Sequence, residues 1–182
     1  MTMLPIGPLM IEHRLIEKMI KVMEKELHRM EMEGTADPVF IGTAVDFIRT
    51  YADRCHHGKE EAILFRELGK KAMSEEYKKT MNELVDEHRW GRETIRDLLE
   101  AKEQYQQGKV EALPTIVDRM AALVDFYPKH IEKEDKRFFI PVMDYFTQQE
   151  KDAMLKEEYE FDRHFVHQKY QDVVSEAENR FK

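Results

Sequence analysis

Cysteine is almost absent: Cys55 is the one thiol in 182 residues, so no disulfide can form within the chain. That usage fits a reducing compartment and leads us to expect the cytoplasm. Seven glycines and six prolines are few for the length, and no stretch alternates polar and apolar residues for long enough to suggest a strand. No apolar run approaches the roughly 20 residues that span a bilayer. The opening, MTMLPIGPLMIEHR, lacks a basic stretch followed by an apolar one, so no secretory signal is expected. Basic charge is also in deficit. With 29 Lys and Arg against 37 Asp and Glu, the net charge of −8 argues against nucleic-acid and anionic-membrane partners.

Histidine, methionine and helix formers are what remain in quantity. Eight histidines and twelve methionines stand among abundant Glu, Lys and Leu. The sparse breakers fall at intervals. Gly34 to Pro38 reads as a stop followed by an N-cap at Asp37; Ser74 caps the next start; Gly108 and Pro141 mark two more breaks; Thr147 to Glu150 is a capping-box pattern. The punctuation predicts helices over roughly 7–33, 38–69, 75–107, 109–139 and 148–180. We expect an all-α single domain over 1–182: an antiparallel up-down four-helix bundle over about 7–140, plus a C-terminal fifth helix.

Four of these segments carry apolar stripes at helical spacing, and each stripe is interrupted by histidine. The first runs Leu9, His13, Ile16, Ile20, Met23; the second Val45, Ile48, Ala52, His56, Glu60, Ile63; the third Met81, Val85, His88, Arg92, Ile95; the fourth Val124, Tyr127, His130, Glu134, Phe138. In CHHGKEEAILF, His56 stands one turn before Glu60 and His57 one turn before Glu61. Such a pair is a salt bridge on a surface helix and a metal-ligand pair on a buried one. A buried carboxylate is costly unless paired or coordinated, and an up-down bundle brings all four interruptions to a similar height. His13, His56, Glu60, His88, His130 and Glu134 then converge as six N and O donors. That set suits two ions bridged by carboxylates, and favours Fe or Mn.

The pattern H…HxxxE…H…HxxxE, with its contexts EHRLIEKM, CHHGKEEAILF, EHRWGRE and YPKHIEKEDKRFF, closely resembles the hemerythrin-like family, also called the HHE cation-binding domain. The resemblance implies two Fe ions with a bridging oxo or hydroxo species, with Mn or Zn as alternative occupants. Carried over, His13 and His56 bind one ion, His88 and His130 the other, and Glu60 and Glu134 bridge. Oxygen-carrying relatives have a second histidine four residues after the third-helix ligand, where this chain has Arg92. They also take the last carboxylate five residues after the fourth-helix histidine, where this chain has Asp135. One ion therefore lacks a nitrogen, which leaves an open position or recruits His57 or His167.

For the other residues the sequence weighs bland readings against functional ones. Glu61 reads as an acceptor orienting an imidazole or as a surface carboxylate, and Asp135 as solvated or as a similar acceptor. His57 and His167 are more readily packing histidines than ligands, and His164 shares the last segment with His167. His28 reads as surface, Cys55 as a small buried residue, and Trp90, Tyr51, Tyr127, Phe126 and Phe138 as core. Pro128 should kink the fourth helix and help aim His130. The expected function is binding or sensing of O2, or of NO or peroxide, with the protein partner open. The competing functions are a redox enzyme (NO or peroxide reduction, or iron–sulfur centre repair), an iron sensor or store, and a structural bundle holding one zinc.

Overall fold

The structure, a computed structural model, describes residues 3–163 and 167–181. It is all-α, with six principal helices among the described residues. They are α1 (Ile6–Glu33), α2 (38–68), α3 (Glu75–Gln106), α4 (113–142), α5 (Gln148–Asp162) and α6 (His167–Asn179). Among the described residues, no helix is long and apolar enough to cross a membrane.

Each boundary has a local cause. At the end of α1, Gly34 adopts a left-handed φ of 66° and its N–H donates to the Met30 carbonyl. That conformation costs a residue with a Cβ about 1–2 kcal/mol. The Asp37 carboxylate accepts from the Val39 and Phe40 N–H groups and starts α2 with Pro38 in its first turn. Ser74 Oγ accepts from the Tyr77 N–H at the start of α3, and Thr147 and Glu150 form a reciprocal capping box at α5. The fourth helix begins later than its expected start, after a 3-10 turn over Val110–Ala112, and runs through both Pro128 and Pro141.

The expected single helix over 148–180 is instead two helices, α5 and α6, and its His164 lies outside the described residues. Each of the two makes its own apolar contacts. Met154 of α5 joins an apolar cluster at one end of the molecule; Tyr170, Val174 and Ala177 of α6 join a second cluster at the other. α5 packs on the later part of α2, whereas α6 packs on α1 and the start of α2.

The two clusters also orient the first four helices. On α1, Leu9 belongs to the α5-side cluster and Ile16 to the other, with His13 between them. On α2 the order reverses: Ala52, then His56 and Glu60, then Ile63. It reverses again on α3, from Leu84 through His88 to Ile95, and again on α4, from Ile131 to Phe138 across Glu134. A buried polar layer is thereby held between two apolar ones.

Three stretches of α2 and α4 are π-helical: Ile48–His57, Glu60–Phe65 and Glu134–Phe138. All lie at the polar layer. The wider i→i+5 turn rotates each successive side chain by less than an α-turn does, so two neighbouring residues can both face inward. Single-turn π features concentrate at functional sites.

Candidate metal centre

His13, His56, Glu60, His88, His130 and Glu134 are all brought together, each at most 2% exposed. They form two groups. One ligand atom from each of His13, His56, Glu60 and Glu134 lies within 4.8 Å of the others, and the same holds for His57, His88 and His130. The carboxylates reach across both. Glu60 sets Oε1 3.2 Å from His56 Nε2 and Oε2 3.4 Å from His88 Nε2. Glu134 sets Oε2 3.1 Å from His13 Nε2 and Oε1 3.3 Å from His130 Nε2.

The outer nitrogens follow a second pattern. His56 Nδ1 lies 2.9 Å from Glu12, His88 Nδ1 2.8 Å from Glu61, His130 Nδ1 2.8 Å from Glu87 and His13 Nδ1 2.7 Å from Asp135. Every acid sits next in sequence to an inward residue of its own helix and serves the imidazole of the following helix. Asp135 of α4 closes the ring on α1. An Nδ1–H donated outward leaves the Nε2 lone pair bare toward the interior, the tautomer a metal requires. His13 Nε2 and His56 Nε2 stand 2.8 Å apart, a hydrogen bond when one of the two carries a proton.

The interior is arranged to collect positive charge. Burial opposes charging His56, yet Glu60 and Glu12 outweigh it and push its pKa up to about 10. His88, likewise opposed by burial, is pushed up to about 9 by Glu134, Glu61 and Glu60. Burial also disfavours the Glu134 anion, but His130, His13 and His88 hold its carboxyl well below the usual range. The buried oxygens of Glu60 and Glu134 and the Nε2 atoms of His88 and His130 have no hydrogen-bond partner. Buried polar atoms are nearly always satisfied, so a cluster of orphans in one layer fits cations bound among them.

Of the two candidates for the missing nitrogen, His57 is the one that stands with the inward histidines His88 and His130. It is 3% exposed, and its ring stacks on His88 with centroids 3.9 Å apart. Burial first, then His88 and His130, push its pKa well down, so it is a neutral donor. His167 does not join either group. It stands in a third set with Glu12, Cys55 and Asp162, its Nε2 3.3 Å from Asp162 and 3.9 Å from Cys55. Arg92, in place of a ligand, bonds Asp53 and Glu61, each at 2.7 Å, and so braces the acceptor of His88.

Several residues escaped the stripe analysis. Glu12 and Glu87 complete the outer ring with Glu61 and Asp135; the signal was the acid adjoining each inward residue, as in Glu12-His13 and Glu87-His88. Lys59, fully buried, bonds Glu12 and lies 2.6 Å from Asp162. Glu158 of α5 is fully buried with both carboxylate oxygens unpartnered. Nothing in its surroundings in sequence marks it. Trp90, expected in the core, is 38% exposed and packs on Phe126 at the surface, because α3 turns that face outward. His28 is exposed and Cys55 buried, as the sequence suggests.

Comparison with known proteins accords with the geometry. Searches of curated proteins and of solved structures returned no match. The family model of the hemerythrin HHE cation binding domain matches residues 4–140, which span α1 to α4 up to the last turns and include every member of both groups and of the carboxylate ring. The chain belongs to the hemerythrin HHE cation-binding domain family.

Proposed function

We propose that the chain is an up-down four-helix bundle, α1 to α4, that holds a non-haem di-iron centre and binds or senses O2 or a related small ligand, NO or peroxide. The observation that carries this reading is the reach of Glu60 and Glu134, each with one oxygen toward each histidine group. His13 and His56 serve one ion, His57, His88 and His130 the other, with the two glutamates between. Imidazole with bridging carboxylate favours Fe, with Mn or Zn as competing occupants. Such a centre supplies one-electron redox chemistry at two neighbouring ions. The protein's part is to fix four imidazoles, His13, His56, His88 and His130, through acceptors on their Nδ1 atoms, and to flank the layer with apolar clusters.

A redox enzyme reducing NO or peroxide is the second reading. It is favoured by a cavity of about 290 Å³ that reaches the His57 and His88 side of the layer. Cycling iron-loaded protein through anaerobic reduction and O2 separates the two. Binding or sensing predicts visible bands that bleach and return over repeated cycles without loss of iron. Consumption of NO or peroxide far beyond the iron present overturns that reading in favour of the enzyme, and absence of any iron-dependent band overturns both.

A further inference from the structure

The cavity beside the polar layer has room for far more than a diatomic. Its volume is about 290 Å³, whereas an apolar cavity of about 150 Å³ already accommodates benzene. Ile48, Ile95, Leu99 and Tyr127 form its apolar wall, and His57 and His88 its inner end. The charged residues that line it are Arg49, Arg92, Arg96 and Asp53. Arg92 is already committed to Asp53 and Glu61. Arg49 has no ion-pair partner among the described residues, and Arg96 has only the neighbouring Asp97, at 3.7 Å. One guanidinium without an ion pair and one held only by a long contact to its sequence neighbour thus stand at an apolar cavity in a chain of net charge −8.

We propose that this cavity binds a small organic carboxylate with an apolar body, its anionic end held by Arg49 and Arg96 and its body against Ile48, Ile95 and Leu99. Planar guanidinium groups pair with carboxylates in a bidentate, charge-assisted geometry. The apolar wall gives a hydrated inorganic anion nothing to replace its water with, but suits a ring or short alkyl chain. The body then lies along α2 and α3 and points at the His57 and His88 rings. Binding of this kind is built from the polypeptide alone and does not depend on the metals.

Calorimetric titration of phenylacetate against its neutral isostere phenylacetamide tests the proposal on metal-free and iron-loaded protein, so that a failure of metal loading is seen separately. The proposal predicts phenylacetate binding at least about tenfold tighter than the amide in both forms, weakened by added salt. The exposed double variant Arg49→Gln, Arg96→Gln should bring phenylacetate down to the level of the amide. Leu99→Trp, with helix content checked, should weaken both ligands by filling the cavity. Equal binding of acid and amide, no heat with about 10 mM phenylacetate, or full binding by folded Leu99→Trp would each overturn it.

Discussion

Replacing Glu158 should make the protein more stable, and by an amount that grows with pH. The side chain is fully buried on α5, with neither oxygen partnered. Burial pushes its pKa up to about 8; Lys59 opposes the rise, and Glu12, Asp162 and Glu60 add to it. In the unfolded chain the same group titrates at the ordinary glutamate value of 4.5. The folded state therefore holds a proton that the unfolded state has released. The favourable contribution is complete below the unfolded value and is lost as pH rises through the folded one. Each unit is worth about 1.4 kcal/mol, so the loss approaches roughly 3 kcal/mol near pH 7 and levels off near 5 kcal/mol above about pH 8. Glu158→Met keeps the volume and removes the titration. Urea unfolding of both proteins in the same metal state, at intervals from about pH 5 to about pH 9, yields the difference directly. The variant's advantage should widen up to about pH 8 and then hold constant. A difference that is flat with pH, or that narrows as pH rises, would refute the assignment of Glu158 as a buried neutral carboxyl.

Lys59→Met should act in the opposite sense. It strips the cation from Glu12 and Asp162 and should cost about 3–5 kcal/mol, or roughly 6–20 °C in Tm for a chain of this size; a loss under about 1 kcal/mol would show that the two carboxylates find other partners. Glu87→Gln removes the charged acceptor from His130 Nδ1 and should weaken metal binding about 10–100-fold while helix content stays the same; unchanged affinity in a competition titration with a chelator would contradict the role of the outer ring. His57→Ala should weaken one iron equivalent and spare the other, since His57 stands only with His88 and His130. Parallel loss of both equivalents, or loss of neither, in an iron titration would count against that grouping.

Helix ends and the inward histidines were legible in the sequence because both obey simple rules. Asp37, Ser74 and the Thr147–Glu150 pair carry their caps in the residue type itself. His13, His56, His88 and His130 break apolar stripes counted at 3.6 residues per turn. That count is also why His57 was left ambiguous. An α-helical wheel turns it away from the face that holds His56, whereas the π-helical stretch Ile48–His57 brings both inside. Nothing in residue type announces a π-turn. The separate docking of α5 and α6 on the two apolar clusters is tertiary packing, which residue type alone does not announce. Lys59 and Glu158 show the same limit. A lysine and a glutamate among many charged residues read as solvated, and only the docking of α5 over the later part of α2 encloses them.

Glu60 and Glu134 each face both histidine groups of one buried layer and should join two metal positions there. Anaerobic titration of metal-free protein with ferrous iron, followed by elemental analysis after removal of unbound metal, tests it most directly. The endpoint should be two iron ions per chain for the native protein, with both lost in Glu60→Ala, because that carboxylate faces both groups. Saturation at a single ion, or two ions still held by folded Glu60→Ala, would contradict it.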